Sequence, residues 1–407
     1  MDLIVLKFGG TSVADAERIQ RAARRAINYK QQGFNVVMVV SAMGKTTDKL
    51  IALAQEITDD PSRRELDMLL TTGEQVSISL MAMAINAAGH EAISLTGGQV
   101  GLITDAVHTK ARIQNINADR INQELEQGRI VIVAGFQGVE ESGEITTLGR
   151  GASDTTAVAL AAVLKANRCE IYTDVDGIYT TDPRIVAEAR KIDVISYDEM
   201  LELASLGAGV MHSRAIEFGK KYGVDIHVRS SFTDTPGTLI TREVEKMENI
   251  VVSGAAVKKD LAQFVLPGLP NHPGVVAGIF AKLANHGVIV DDIIQTVTDG
   301  GTASTSFTVE YSDLSECKLV VEEIRKEYDL KEVICTDPVA KVSVVGVGMR
   351  SHTGVALKMF QALADAKVNI NAITTSEIKI SCIIDPADAD KALREVHAAF
   401  ELDKVAE

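Results

Sequence analysis

The sequence predicts an α/β protein: a mostly parallel sheet sandwiched by helices, followed by two ferredoxin-like βαββαβ units. Three observations carry this. Short apolar runs alternate with amphipathic stretches up to about Ile240. Beyond it, a set of residues recurs at a fixed offset of 80. The first apolar run, Leu3–Leu6, leads straight into Lys7-Phe8-Gly9-Gly10-Thr11-Ser12, a strand-to-loop passage suited to an anion.

In the first part the apolar runs are Leu3–Leu6, Val36–Val40, Ala92–Leu95, Ile130–Val133, Glu170–Thr173 and Asp225–Val228. Helical patterns cover Ala14–Lys30, Asp48–Glu56, Glu74–Ala88, Asp119–Gln127 and Thr155–Lys165. Strand then helix, repeated, means a parallel sheet covered on both faces. Such sheets bind ligands at the carboxyl ends of their strands, where Lys7, Ser41 and Asp174 fall. A polar stretch, 241–248, follows the turn signal Pro236-Gly237 and reads as a linker.

In the repeat, His272, Gly274, Val275, Phe280, Leu283, Ala284, Val288 and Ile293 return as His352, Gly354, Val355, Phe360, Leu363, Ala364, Val368 and Ile373. The first copy reads strand Ala262–Leu266, helix Val275–Asn285, strands Val288–Thr296 and Ser304–Glu310, helix Glu316–Tyr328 and a strand near Val333–Thr336. The second has strands Lys341–Val345, Asn369–Thr374 and Lys379–Ile384, with helices Val355–Ala366 and Ala387–Phe400. It lacks a closing strand, and Ile250–Val257 is a strand without a place. The reading is that 249–261 joins 338–407 in one unit, with the other unit, 262–337, nested inside it; two tandem units are the alternative. Residues 1–240 form the first domain.

The chain has 407 residues, a net charge of −15 and 4% aromatic residues without Trp, which argues against nucleic acid or an anionic membrane as partner. Its four cysteines form no C-x-x-C pair and its eight histidines no zinc-ligand spacing, so reduced thiols and no protein-held metal are expected. With no signal peptide or membrane-length apolar run, a cytoplasmic location is expected.

Four constellations carry chemistry in the first domain. Lys7, Gly9, Gly10, Thr11 and Ser12 read as a phosphate loop opening a helix near Val13, or as a plain glycine turn. Ser41-Ala42-Met43-Gly44-Lys45-Thr46-Thr47 contains Gly-Lys-Thr, but a P-loop needs glycine where Val39 stands. Thr71-Thr72-Gly73-Glu74-Gln75 places a carboxylate at an expected helix start, where it serves the helix dipole or grips an ammonium. Leu148-Gly149-Arg150-Gly151-Ala152-Ser153-Asp154 offers an arginine fork for a carboxylate, and Thr173-Asp174-Val175-Asp176-Gly177-Ile178-Tyr179-Thr180-Thr181-Asp182-Pro183-Arg184 offers a nucleotide pocket.

Together KFGGTS, VSAMGKTTD, TTGEQ, LGRGASDTTA and TDVDGIYTTDPR resemble the aspartokinases of the amino acid kinase family, and the repeat resembles their paired ACT domains. Met68–Ser79, Gly149–Leu160 and Tyr197–Gly209 look like the lysine-sensitive enzymes of Bacillus-type bacteria. The resemblance implies transfer of the ATP γ-phosphoryl group to the side-chain carboxylate of L-aspartate, at the entry to lysine, threonine and methionine synthesis, with Mg²⁺ held mainly by the ATP phosphates. It implies that Lys7, Gly9, Gly10 and Asp154 act on the transferring group. Ser41, Thr47, Glu74, Arg150, Gly151 and Ser153 would hold aspartate, with Glu74 near its ammonium. Thr173, Asp174, Tyr179, Asp182 and Arg184, with Lys7 and Gly10, would contact the nucleotide.

In the ACT units it points to Asn271, Gly274, Val275, Asp291 and Gln295, and to His352, Gly354, Val355, Asn369, Ser376 and Glu377, as the site of feedback effectors, lysine and/or threonine. Asp291 and Gln295 are evenly spaced on a strand and are expected on one face. A homodimer or larger assembly through the ACT units is implied, as is a separate regulatory subunit begun at Met247. Two departures from the family pattern stand out: Ala152 where many members have Gly, and Gly209 where many have a phosphate-reaching lysine. A glutamate-type acceptor and a weakly active amino acid sensor are the alternative readings.

Overall fold

A computed structural model describes residues 2–149, 151–207, 210–242, 251–298, 301–350 and 352–404. Two compact units emerge: residues 1–179 with 191–245, and residues 180–190 with 246–407.

The first unit opens with β1 (Leu3–Phe8), α1 (Ala16–Gln31), β2 (Asn35–Val40), α2 (Thr46–Ile57), α3 (Arg63–Ala87) and β3 (Ala92–Leu95). It continues with β4 (Leu102–Thr104), β5 (Ile113–Ile116), α4 (Asp119–Glu126), β6 (Ile130–Ala134), β7 (Gln137–Val139), β8 (Ile145–Thr147), α5 (Ser153–Val163) and β9 (Arg168–Thr173). Then come β10 (Ile178–Tyr179), β11 (Lys191–Ile192), β12 (Val194–Ser196), α6 (Tyr197–Ser205), α7 (Ser213–Tyr222), β13 (Ile226–Ser230) and β14 (Thr238–Thr241).

The main sheet runs β12-β14-β13-β9-β1-β2-β6-β3, parallel throughout except where β13 meets β14. Its central strands are apolar on both faces because both are covered. Ile4, Leu6, Phe8, Val36, Met38, Val40, Ile130 and Ile132 pack on α1 and α3 through Ile19, Ala23, Ile78, Met81 and Ile85. On the other face α5 lies against β1, β2 and β9. Its small buried residues Ala157, Ala159 and Ala161 allow a close approach.

Sequence periodicity placed the central strands within a residue or two. It missed β4, β5, β7 and β8, which form a separate four-stranded sheet: strands of three or four residues are too short to show alternation. It also began α3 eleven residues late. Gly73 interrupts the pattern there, yet sits in mid-helix because a Cβ would lie 2.9 Å from the Ala42 methyl carbon. Among the described helices α3 alone is long and apolar enough to cross a membrane, but half of its apolar window is buried in the protein and it carries the buried Asp67 and Glu74; it is a core helix.

The second unit comprises β15 (Gly254–Pro270), α8 (Val275–Asn285), β16 (Val290–Thr298), β17 (Thr302–Glu310), α9 (Leu314–Glu327), β18 (Ile334–Val345), α10 (Val355–Asp365), β19 (Ala372–Thr375), β20 (Lys379–Ile384) and α11 (Ala389–Ala399). They form one sheet, β16-β17-β15-β18-β20-β19. The early part of β15, Gly254–Lys258, pairs with Val345–Lys341, and its later part pairs with β17. Each half has its own core, one around Phe264, Ile279 and Phe307, the other around Val342, Met359 and Leu393. The repeated glycines Gly274 and Gly354 both hold positive φ, 100° and 91°, where the chain turns into α8 and α10.

Two expectations change here. A bulge between Asp291 and Ile294 adds a residue to β16, with Asp292 at φ 49°. The parity that put Asp291 and Gln295 on one face therefore fails. Residues 180–190, read from sequence as part of the first domain, belong to the second unit, where Val186 joins the core around Met359 and Leu393.

Candidate active site

The carboxyl ends of β1 and β2, the start of α5 and the middle of α3 converge on a cavity of about 260 Å³ lined by Lys7, Gly10, Ser41, Thr47, Glu74, Phe136, Gly151, Ser153 and Asp154, with Ala42, Gly44 and Asp48. Lys7 lies within β1, so its side-chain direction is fixed by the pleat. Its ammonium meets Asp154 Oδ1 at 2.6 Å, both side chains being about nine-tenths buried. Asp154 sits in the first turn of α5, and its Oδ2 accepts a hydrogen bond from the His212 N–H at 3.4 Å.

The glycine loop is shaped by close approach. A Cβ on Gly10 would lie 2.8 Å from the Ala42 carbonyl oxygen, and the Gly44 N–H donates to the Gly10 carbonyl at 2.9 Å. The Gly9 N–H donates to the Tyr172 carbonyl at 3.2 Å, joining β1 to β9. That amide is engaged, so Gly9 is not the phosphoryl donor expected from sequence. The helix expected near Val13 is a single 3₁₀ turn, Gly10–Val13, and α1 starts later under an Asp15 cap.

Glu74 lies in mid-helix, so the cap reading is excluded by position. Its Oε1 accepts from the Ala42 N–H at 3.1 Å, while the buried Oε2 has no partner among the described residues. Burial raises its pKa to about 7, against a smaller opposing effect of the Ala42 hydrogen bond. Ser41 half-buries at the end of β2, and Thr47 lies in the first turn of α2. Ser153 and Gly151 enter from the loop before α5, Gly151 at φ 74° against His212. Arg150 lies outside the described residues. Ala152 has φ −77°, so its methyl group brings no backbone strain; Gly209 lies outside the described residues.

Of the expected nucleotide residues, Thr173 ends β9, Asp174 opens the following loop and Tyr179 ends β10, all in the first unit. Thr173 donates to Asp174 Oδ1 at 3.1 Å, and its carbonyl holds Ser231. Asp182 and Arg184 fall in the second unit. There they bind each other, with Arg184 Nη2 2.7 Å from Asp182 Oδ2, which holds the carboxyl below its usual range. The constellation read as one loop is thus divided between two units. Three contributors carried no signal in the sequence: Phe136, at φ 69° in the cavity wall, and His212 and Arg214, which reach the loop around 148–154 from the start of α7.

Among the described residues no three His, Cys, Asp or Glu side chains gather as metal ligands. In the second unit Asn271, Gly274, His352 and Gly354 sit in exposed loops before α8 and α10, while Val275 and Val355 point into the cores. Gln295, Asn369, Ser376 and Glu377 are exposed on or beside β16 and β19. Asp291 is exposed but paired with the buried Lys341, 2.7 Å away.

A lysine at the end of β1 and the buried carboxylate it meets in the first turn of α5, beside an unmatched acid, define a phosphotransferase-type site on an α/β sheet, in a chain whose second unit repeats one fold twice. Residues 2–230 match the amino acid kinase family, and 264–327 and 342–400 each match an ACT domain. Aspartokinase 2 of Bacillus subtilis is 52% identical over 404 residues, covering 99% of both chains. Aspartokinase III of E. coli in complex with aspartate and ADP, R-state, superposes with a TM-score of 0.84 at 27% identity, over 98% of this chain and 99% of that one. The same enzyme with lysine and aspartate, T-state, gives 0.75 at 27% identity, again over 98% and 99%. The chain belongs to the aspartokinases of the amino acid kinase family, ATP-dependent kinases that act on a carboxyl group.

The unmatched Glu74 carboxyl yields an expected outcome. In the ligand-free protein, ¹³C NMR of glutamate side chains shows one group titrating near pH 7, and Glu74→Gln removes it. A spectrum with every glutamate titrating below pH 5.5 contradicts the burial argument.

Proposed function

We propose that the protein phosphorylates the side-chain carboxylate of L-aspartate with ATP, giving 4-phospho-L-aspartate and ADP, and that the second unit carries feedback inhibition. The observation that carries this is the pairing of Lys7 with Asp154 beside the unmatched Glu74 in one cavity. The buried Oε2 of Glu74 is the acceptor an ammonium group needs. Binding the ammonium favours the ionised acid, so aspartate affinity rises with pH up to about 7 and then levels.

The acceptor carboxylate is already ionised at neutral pH, so no general base is required. One of its oxygens attacks the γ-phosphorus in line, and the bond to the bridging oxygen of ADP breaks. Lys7 supplies charge at the transferring group, Asp154 holds the Lys7 ammonium in place, and Ser41, Thr47, Arg150, Gly151 and Ser153 hold aspartate. Thr173, Asp174, Tyr179 and Gly10 serve the nucleotide. Mg²⁺ bound to the ATP phosphates would neutralise part of their charge.

The nested boundaries, 262–337 within 249–261 plus 338–407, belong to the same reading and are supported by the pairing of Gly254–Lys258 with Lys341–Val345. Assembly through the ACT units is supported by the apolar Ile289, Ile293 and Val297 exposed on and beside β16. A regulatory product started at Met247, itself outside the described residues, would lack 180–190. A cytoplasmic location accords with four free cysteines, three of them buried.

Trapping the acyl phosphate with hydroxylamine tests the assignment. Aspartate gives ATP-dependent hydroxamate, glutamate and acetylglutamate do not, and Lys7→Ala lowers the rate about a hundredfold or more; near-wild-type turnover in that variant overturns it. Lysine, alone or with threonine, is expected to inhibit by binding the less active state more tightly. Unchanged activity at saturating lysine, threonine and their mixture contradicts the feedback claim.

A further inference from the structure

Asp67, on α3, is a fully buried carboxylate that the catalytic scheme leaves unused. A buried charge is retained only where hydrogen bonds replace the water it has lost, and here the donors come from two distant segments. The Thr147 hydroxyl donates to Oδ1 at 2.5 Å, and the Thr109 N–H approaches both oxygens at 3.0 and 3.2 Å. His108 Nδ1 lies 2.8 Å from Oδ2. The two segments are tied to each other by the Ala111 N–H, which donates to the Thr147 carbonyl at 2.9 Å. The Arg214 guanidinium donates to the carbonyls of Leu148, at 2.6 Å, and Ala111, at 3.1 Å.

Asp67 and Arg214 thus fix the chain at Thr147 and Leu148, immediately before Gly149, Arg150 and Gly151. Asp67 also lies seven residues before Glu74, two helical turns along the buried face of α3. One helix face therefore presents the acid facing the cavity and the acid that anchors the chain at Thr147, ahead of the cavity-lining Gly151. We propose that Asp67 is a positioning residue for the acceptor site: without touching substrate, it fixes Thr147 and Leu148 and so sets where the chain enters the acceptor loop. This rests on the reading that the loop binds aspartate through Arg150.

The test is steady-state kinetics of the full chain by the hydroxamate assay, with melting temperatures alongside, for Asp67→Asn, Thr147→Val and Arg150→Ala. Thr147→Val removes one donor while leaving the buried acid its other partners, so it remains informative where Asp67→Asn fails to fold. The KM for aspartate rises about tenfold or more in Asp67→Asn and severalfold in Thr147→Val, while the KM for ATP stays within about twofold. A purely structural role would lower the melting temperature and leave both KM values unchanged, or shift them together; either result overturns the proposal. Unchanged aspartate KM in the Asp67 and Thr147 variants, with a raised one in Arg150→Ala, overturns this inference alone. An unchanged aspartate KM in Arg150→Ala overturns the acceptor-loop reading and the inference with it.

Discussion

The ion pair between Lys7 and Asp154 is the constraint on which the first unit turns. A charge carried inside a buried strand is costly to desolvate, and it is tolerated only where a counter-charge meets it. Asp154 meets it because the first turn of α5 is delivered to the end of β1 by the small residues that let the helix lie close on the sheet. His212 then caps the remaining carboxylate oxygen from the start of α7. Removing one member of such a pair typically costs about 3–5 kcal/mol, since the other is left buried and unmatched. The same pairing keeps the Lys7 ammonium aimed into the cavity.

Around that pair the site is assembled from backbone approaches as much as from side chains. Gly10 is a glycine because Ala42 and Gly44 lie against it, and Gly73 because Ala42 lies against α3. Loop 41–44 is thereby clamped between the opening loop and the helix that carries Glu74. The clamp explains why the Glu74 carboxyl accepts the Ala42 N–H and why it is dry enough to titrate near neutrality. In the second unit, β15 and β18 run through both repeats, and Asp292 accepts from Thr374 of β19 at 2.8 Å while also holding Lys341. The two outer strands of the sheet are thereby linked through one buried cluster.

Much of this was legible in the sequence, for identifiable reasons. Central strands declared themselves through uninterrupted apolar runs, and Lys7 and Asp154 through the glycines and helix start beside them. The ACT repeat was visible because Gly274 and Gly354 are needed at positive φ in both copies. Other features arise only in three dimensions. Glu74 looked like a helix cap because a glycine demanded by tertiary packing broke the pattern of α3. Asp67, His212 and Arg214 find their partners far along the chain, which no local pattern reports. The bulge at Asp292 defeated an argument from strand parity. The stretch from Thr173 to Arg184 looked continuous, but Thr180 bonds to the buried His397 at 3.0 Å and takes the rest of the stretch into the second unit.

Under the proposed function, Lys7 and Asp154 act as one device in phosphoryl transfer. A double-mutant cycle on kcat, using Lys7→Met, Asp154→Asn and the pair together, tests it most directly. Each single variant is expected to lose most activity, and the double variant to be little worse than Lys7→Met alone, because Asp154 acts through Lys7. Losses that multiply to the full product of the two single effects would show that the residues work independently and would contradict it.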